Sequence, residues 1–298
     1  MGHTAFIGLG HMGGGMAANL AKAGLEVRAF DLSTLAVERA AGAGCARAAS
    51  AAEAARDAEV VITMLPASAH VRAVFAEAVF PNAAKGALLI DCSTVDVESA
   101  RGVAAQARDL GFRFADAPVS GGTAGADGGT LTFMVGCLEA DFAAVEFVLT
   151  PMARTVIRAG DSGAGQAVKI CNNMLLGISM LGVCEALTLA ESLGLDAERF
   201  FEIASKSSGQ CWSLTSYCPV PGLVPAAPSN RDFEGGFSTA MMLKDLKLAQ
   251  GAAAAARAST PLGASAEALY ALFDRLGYGD KDFSAIIKLL GARLDHLS

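Results

Sequence analysis

Histidine is scarce, with four in 298 residues, at positions 3, 11, 70 and 296. None stands at metal-ligand spacing from another and no HExxH occurs, which argues against a zinc centre, a Ser-His-Asp triad or a histidine base. The seven cysteines (45, 92, 137, 171, 184, 211, 218) are scattered, odd in number and without a CxxC pair. They fit buried thiols in a reducing compartment and not a disulfide framework. Charged residues make up only 18%, with 23 basic against 30 acidic side chains and a net charge of -7. No basic run or basic–aromatic cluster is present, so nucleic acid is not an expected partner. The uncharged run between Lys169 and Glu185 is shorter than the ~20 residues a bilayer needs and contains Asn172-Asn173, so no membrane is expected either. The N-terminus passes almost directly into a strand-like run, leaving no room for a signal or transit peptide, and the expected location is cytoplasmic.

What the chain does have is apolar residues, 53%, with abundant alanine and glycine that suit close helix–sheet and helix–helix contact. A length of 298 residues can bury a substantial core and suggests two domains. His3 to Gly8 reads as a buried strand running into Gly8-Leu9-Gly10-His11-Met12-Gly13, a G-x-G-x-x-G, then a helical pattern through Ala23 and a second strand, Glu26 to Phe30, closed by Asp31. Strand, glycines, helix, strand and acid in that order point to dinucleotide binding. Gly8 permits the tight turn, Gly10 lets backbone N–H groups approach a pyrophosphate, and Gly13 allows close helix–strand packing. Asp31 accepts from the adenosine ribose hydroxyls and repels a 2′-phosphate, and Leu32 follows where an arginine often serves NADP. NAD is the expected cofactor.

Further strands are expected at 60–65, 87–91 and 112–117, with alanine-rich helices near 68–78 and 95–110. The pattern predicts an α/β, Rossmann-type, doubly wound and mostly parallel sheet. Its ligand edge, the carboxyl ends of the strands, would carry Gly8–Gly13, Asp31, Leu65-Pro66, Ser93-Thr94 and Ser120-Gly121-Gly122. The consecutive glycines can form an anion-binding concavity or be an ordinary loop. Thr130 to Gly136 reads as an antiparallel-type strand, Asp141 to Leu149 as a short helix, and Ala153 to Ala159 as a strand at the sheet edge. This NAD-binding domain is assigned to 1–162, and 163–298 to an all-α domain for substrate and oligomerisation.

The second domain is organised around Gly163 to Gly194, a proline-free stretch that predicts one helix of roughly 45 Å. Its lack of charge predicts a helix buried nearly all round, within the domain or between subunits, hence a homodimer or homotetramer. Lys169 and Asn173 are four apart and share a face, and an ammonium with amides in apolar surroundings is either a structural accident or a site. Desolvation there would lower a lysine's pKa towards acid–base use. Helices follow at about 196–206, 239–257, 260–276 and 282–293. The insertion 210–236 is irregular and rich in proline and aromatics, and Trp212 and Tyr217 either wall a pocket or anchor the loop. Lys244-Asp245 reads as a solvated helix pair.

The stretches FIGLGHMGGGMAANL, DAPVSGGTAGADGGTLTFMVG, GAGQAVKICNNMLLG and LKDLKLA together resemble the β-hydroxyacid dehydrogenase family over essentially the whole chain. The segment SSGQCWSLTSYCPVPGLVP with EGGF is similar to its hydroxyisobutyrate branch. His11 departs from the usual asparagine, and Cys137 from a glycine. The resemblance implies Lys169 as the catalytic residue, with Ser120, Gly121, Gly122 and Asn173 holding a small hydroxy acid. It implies Leu65, Pro66, His70 and Thr94 beside the ribose and nicotinamide, and Lys244 near the cofactor. The implied reaction is NAD-dependent oxidation of 3-hydroxyisobutyrate to methylmalonate semialdehyde, a step of valine breakdown, in a cleft between the domains. A sibling reductase for another small semialdehyde (tartronate, glyoxylate or succinic type) and a non-catalytic dinucleotide sensor are the alternatives.

Overall fold

The structure, a computed structural model, describes residues 2–291. Packing groups the chain into Met1–Lys169 and Ile170–Ser298. Among the described residues of the first unit, nine strands form one sheet: β1 (Thr4–Ile7), β2 (Val27–Phe30), β3 (Ala46–Arg47), β4 (Val60–Thr63), β5 (Leu88–Asp91), β6 (Arg113–Asp116), β7 (Val119–Ser120), β8 (Leu131–Gly136) and β9 (Ala153–Gly160). The order is β3-β2-β1-β4-β5-β6-β8-β7, with β9 paired to β8. Strands β1 to β6 pair parallel. As expected, β8 runs antiparallel to its neighbours β6 and β7, and β9 then returns parallel to β8.

The connections carry α1 (Gly13–Lys22), α2 (Thr34–Gly42), α3 (Ala51–Ala55), α4 (Ser68–Val74), α5 (Val97–Asp109), α6 (Gly122–Gly128) and α7 (Glu139–Leu149). Successive strand residues point to opposite faces, and here both faces are apolar and covered. Phe6, Ile62, Leu88 and Ile90 pack on one side with Met16 and Leu20 of α1. Ala5, Ile7, Val61 and Leu89 pack on the other with Phe75 and Val103. This alternation inside uninterrupted hydrophobic runs makes the sheet doubly wound. It also leaves the strand ends as the place where polar residues can gather.

Helix α8 (Ala164–Ser192) runs for 29 residues, about 43 Å at the usual rise. It stops where Gly194 turns left-handed (φ 79), so that the Gly194 and Leu195 N–H groups bond back to the carbonyls of Glu191 and Ala190. The expected burial nearly all round is not reached inside one subunit: Val168, Cys171, Asn172, Leu175, Gly182, Glu185 and Leu189 are exposed in the single chain. They fall on one side of the helix, 168, 171, 172 and 175 in one group and 182, 185 and 189 two turns further on, as one stripe of a helix must. By length and composition the whole helix could cross a membrane, although its uncharged run alone is too short. What opposes a bilayer is its polar content: Lys169 and Asn173 are buried with protein partners.

The second unit continues with α9 (Ala197–Ala204), α10 (Trp212–Thr215), α11 (Thr239–Ala256), α12 (Pro261–Phe273) and α13 (Ile287–Leu290). Met180, Leu181 and Cys184 of α8 pack with Met242, Leu246, Tyr270, Phe273 and Phe283. The helix expected over 282–293 is a 3-10 turn, Phe283–Ile286, followed by α13, and its last two positions lie outside the described residues. The insertion 210–236 is less irregular than expected, since it contains α10 and a 3-10 turn, Pro228–Arg231. Trp212 and Tyr217 stack at 4.8 Å between ring centres, Tyr217 stacks on Phe283 at 5.5 Å, and the Tyr217 hydroxyl donates to Asp282 Oδ2 at 2.8 Å. Asp282 also accepts from the backbone N–H groups of Phe237 (2.9 Å) and Ser284 (2.9 Å). Burial pushes its carboxyl above the usual range. These contacts anchor the loop.

Candidate active site

The glycine turn between β1 and α1 is dictated by close backbone approach. Gly8 has φ 97, and a Cβ there would lie 2.3 Å from the Met64 carbonyl oxygen. At Gly13 a Cβ would lie 1.9 Å from the Gly8 carbonyl oxygen. Gly10 is different: nothing lies within 4 Å of its Cβ position, and it is exposed. The first and third glycines are thus required by the fold, while the second leaves a bare backbone at the head of α1, where a pyrophosphate can approach. The neighbouring residues vary in exposure: Leu9 is buried, His11 exposed and Met12 half-buried.

Asp31, just past β2, turns its carboxylate back onto this loop. Oδ2 accepts the Leu9 N–H at 2.6 Å and Oδ1 the Ser33 N–H at 2.7 Å. A carboxylate retains lone pairs after two such bonds, so ribose hydroxyls can still be accepted. Leu32, 93% exposed, presents no cation to a 2′-phosphate. The donor set and the bare glycine fit an adenine dinucleotide.

The next strand ends are tied together by a hydroxyl relay that was not read from the sequence. The Asp91 carboxylate, buried at the end of β5, accepts from Thr63 Oγ1 at 2.7 Å and Ser93 Oγ at 2.6 Å. Ser93 Oγ accepts the Leu65 N–H at 2.8 Å. Leu65 and Thr94 are partly buried beside this relay, whereas Pro66 and His70 are exposed.

Beyond β6 the backbone reverses quickly. The stretch expected as a loop is split between elements: Ser120 ends β7 and Gly122 opens α6. Gly121 (φ 136) and Gly122 (φ 63) both take conformations that side chains resist, so the glycine pair is needed to make this bend. Lys169 is 7% exposed and donates from Nζ to the Val119 carbonyl at 2.7 Å, next to Ser120. The ammonium of α8 and the Ser120-Gly121-Gly122 bend are therefore brought together within the first unit.

Asp116, at the end of β6, holds α8 in place. Its Oδ1 accepts the Gly163 N–H at 2.6 Å and its Oδ2 the Gln166 N–H at 2.9 Å. These bonds satisfy orphan donors of the helix start. Burial outweighs them and pushes the carboxyl up to about 6. Gly136 and Gly165 make room, for a Cβ would fall 2.5 Å from Oδ1 at the first and 2.8 Å from Oδ2 at the second.

In the helical unit Asn173, 3% exposed, donates from Nδ2 to Asp245 Oδ2 at 2.5 Å and accepts from Asn172 Nδ2 at 3.0 Å. Lys244 Nζ lies 3.7 Å from Asp245 Oδ1. The solvated Lys244-Asp245 pair expected from the sequence is corrected, because Asp245 is 1% exposed and accepts from the asparagine as well as pairing with the lysine. The sequence signal was an acid next to an otherwise apolar stretch of α11, too weak to select it.

A glycine turn at a helix head, an acid closing β2 and polar strand ends around a buried lysine define a dinucleotide-dependent oxidoreductase. Residues 3–160 match the family described as the NAD binding domain of 6-phosphogluconate dehydrogenase. Residues 163–290 match the NAD-binding domain of NADP-dependent 3-hydroxyisobutyrate dehydrogenase. The chain is 47% identical over 291 residues to an NAD-dependent L-serine dehydrogenase of Pseudomonas aeruginosa, covering 97% of this chain and 98% of that protein. It is 48% identical to a probable 3-hydroxyisobutyrate dehydrogenase of Mycobacterium bovis, covering 98% of each. The solved structure of Mycobacterium tuberculosis 3-hydroxyisobutyrate dehydrogenase with L-serine superposes with a TM-score of 0.94 at 48% identity, covering 97% of this chain and 99% of that one. The chain belongs to the β-hydroxyacid dehydrogenase family, close to the 3-hydroxyisobutyrate dehydrogenases, and its cofactor is a nicotinamide dinucleotide.

Proposed function

We propose that this enzyme oxidises 3-hydroxyisobutyrate to methylmalonate semialdehyde with NAD, as a step in valine breakdown. The observation that carries the reading is the Lys169 Nζ to Val119 carbonyl bond of 2.7 Å, which puts a buried amine beside Ser120. In its neutral form the amine can keep that bond and still offer a lone pair to a substrate hydroxyl. Lys169 then takes the hydroxyl proton as the carbonyl forms, and returns it in the reverse direction. Bound NAD supplies the two-electron acceptor. Ser120 and the Gly121 and Gly122 backbone are assigned to the substrate carboxylate, and Asn173, oriented by Asp245, to the substrate hydroxyl. Gly8, Leu9, Gly10, His11, Met12, Gly13 and Asp31 are assigned to the adenosine and pyrophosphate. Leu65, Pro66, His70 and Thr94 are assigned to the nicotinamide half, and Lys244 to the cofactor. The Asp31 carboxylate and exposed Leu32 support a preference for NAD over NADP.

L-serine is the second reading, supported by the 47% identical Pseudomonas aeruginosa enzyme. Both acids carry a primary alcohol β to a carboxylate and differ at C2, methyl against ammonium, so the same lysine chemistry serves either. Comparing kcat/KM with NAD for both enantiomers of 3-hydroxyisobutyrate, L-serine, glycerate and 4-hydroxybutyrate decides the matter. A hydroxyisobutyrate enantiomer should lead by on the order of tenfold or more. A higher value for L-serine or another acid overturns the assignment, and tight NAD binding without any turnover favours a sensor. The exposed Leu175 and Leu189 on α8 support a homodimer or homotetramer through the helical domain, to be weighed by sedimentation. A cytoplasmic location fits seven free thiols, and cell fractionation checks it.

A further inference from the structure

Gln166 lies one turn before Lys169 on α8 and is fully buried, at 0% exposure. Its backbone N–H belongs to the Asp116 clamp, but its side chain points its two bonds elsewhere. Nε2 donates to the Ser93 carbonyl at 2.7 Å, and Oε1 accepts the Val95 N–H at 3.1 Å. The pair straddles Thr94, so one amide grips the chain on both sides of that residue. A carboxamide, with donor and acceptor on one planar group, can hold a peptide segment this way. Ser93 is also the residue whose hydroxyl holds the Leu65 N–H. Leu65 and Thr94 are therefore both referenced to the segment that Gln166 grips, and Gln166 rides on the helix that carries Lys169.

We propose that Gln166 is a positioning residue that keeps Lys169 in register with the cofactor-facing ends of β4 and β5. The proposal rests on the roles given above to Lys169, Leu65 and Thr94. Proton acceptor and dinucleotide must hold the same alcohol at once, and misplacement of reacting groups by ~1 Å can cost on the order of 10² in rate. Gln166 touches neither substrate nor cofactor; it acts through the backbone on each side of Thr94.

Two substitutions test this. Gln166→Met keeps length and volume while removing both bonds. Its kcat should fall 10- to 100-fold, by an order-of-magnitude estimate for lost alignment, with the NADH dissociation constant within about twofold of the parent. Gln166→Glu mimics the amide only when protonated, its hydroxyl then donating to the Ser93 carbonyl and its C=O accepting the Val95 N–H. The buried carboxylates Asp91 and Asp116 hold that proton on, while Lys169 on the next turn pulls the other way. The kcat of Gln166→Glu relative to the parent should rise about fivefold or more from pH 8.5 to pH 6, while the Gln166→Met ratio stays flat. A folded Gln166→Met variant with kcat within twofold of the parent overturns the proposal. So does a flat Gln166→Glu ratio, or a parallel loss of NADH affinity and kcat. Should the parent turn over no hydroxy acid, the functional reading fails by itself, and amide exchange reads Gln166 instead. Faster exchange at Val95 in Gln166→Met with α8 unchanged supports the grip, and unchanged exchange at Val95 overturns it.

Discussion

The Asp116 carboxylate accepts the Gly163 N–H at 2.6 Å across 47 residues of chain, and so fixes the start of the helix that carries Lys169. Replacing it by asparagine turns one acceptor into a donor facing another N–H. Because the folded state holds this proton more tightly than the unfolded chain, the contribution to stability is greatest below pH 3.8 and declines as the pH rises to about 6. The span corresponds to about 3 kcal/mol. Asp116→Asn should lack this slope, so its loss of stability should be larger at pH 4.5 than at pH 7. Urea unfolding at pH 4.5 and pH 7 measures both, and an unchanged slope in the variant contradicts the assignment.

Lys169→Ala should cut kcat by roughly 10²–10⁴ while NADH still binds. Steady-state rates beside a fluorescence titration separate the two effects. Near-normal turnover would remove this amine from the chemistry.

Asp31→Ala removes the acceptor of the Leu9 N–H and, on the proposed reading, that of the ribose. The ratio of kcat/KM for NAD to that for NADP should drop by on the order of tenfold or more. NAD affinity should weaken as the loop loosens. An unchanged ratio would show that the acid serves the loop alone.

Asn173→Asp would set a second carboxylate 2.5 Å from Asp245 Oδ2. Two acids so close share a proton, so kcat/KM should fall by on the order of 10² at pH 8 and recover in part at lower pH. A pH–rate profile parallel to that of the parent argues against the pairing.

Glycine at 165 leaves room for backbone: a Cβ there would meet the Met134 carbonyl oxygen at 2.3 Å. Gly165→Ala should cost about 1–3 kcal/mol through overpacking. Gly102 on α5 has nothing within 4 Å of its Cβ position, and Gly102→Ala should stabilise by about 0.5–1 kcal/mol. Thermal melts of the pair check both signs.

The sheet unit was largely legible because its cues are local. Gly8 to Gly13 follows a strand and opens a helix, Asp31 ends the next strand, and the buried runs at 60–63 and 88–91 have no other use for so much apolar surface. Helix α8 was legible from its lack of proline and charge, though not which stripe stays exposed, since that depends on neighbours distant in sequence. Helix α6 was hidden because GTAGADG is a poor helix former. It is held against α1, where Asn19 Nδ2 donates to the Ala126 carbonyl at 2.7 Å. Asp116, Gln166 and Asp245 went unread as structural keys for one reason: their partners lie 47, 73 and 72 residues away. A polar residue inside an apolar segment announces that it needs a partner, but not where the partner is.

The Leu9 N–H donates to Asp31, and with the role proposed for that acid this single bond limits how the lineage can change its coenzyme. On the NAD reading proposed above, a descendant drifting towards the phosphorylated dinucleotide must surrender the acid assigned to repel the extra phosphate, and with it the Leu9 brace of the glycine loop. Some other oxygen would have to receive that proton first, so a switch made in one step should produce a crippled binder and not a clean convert.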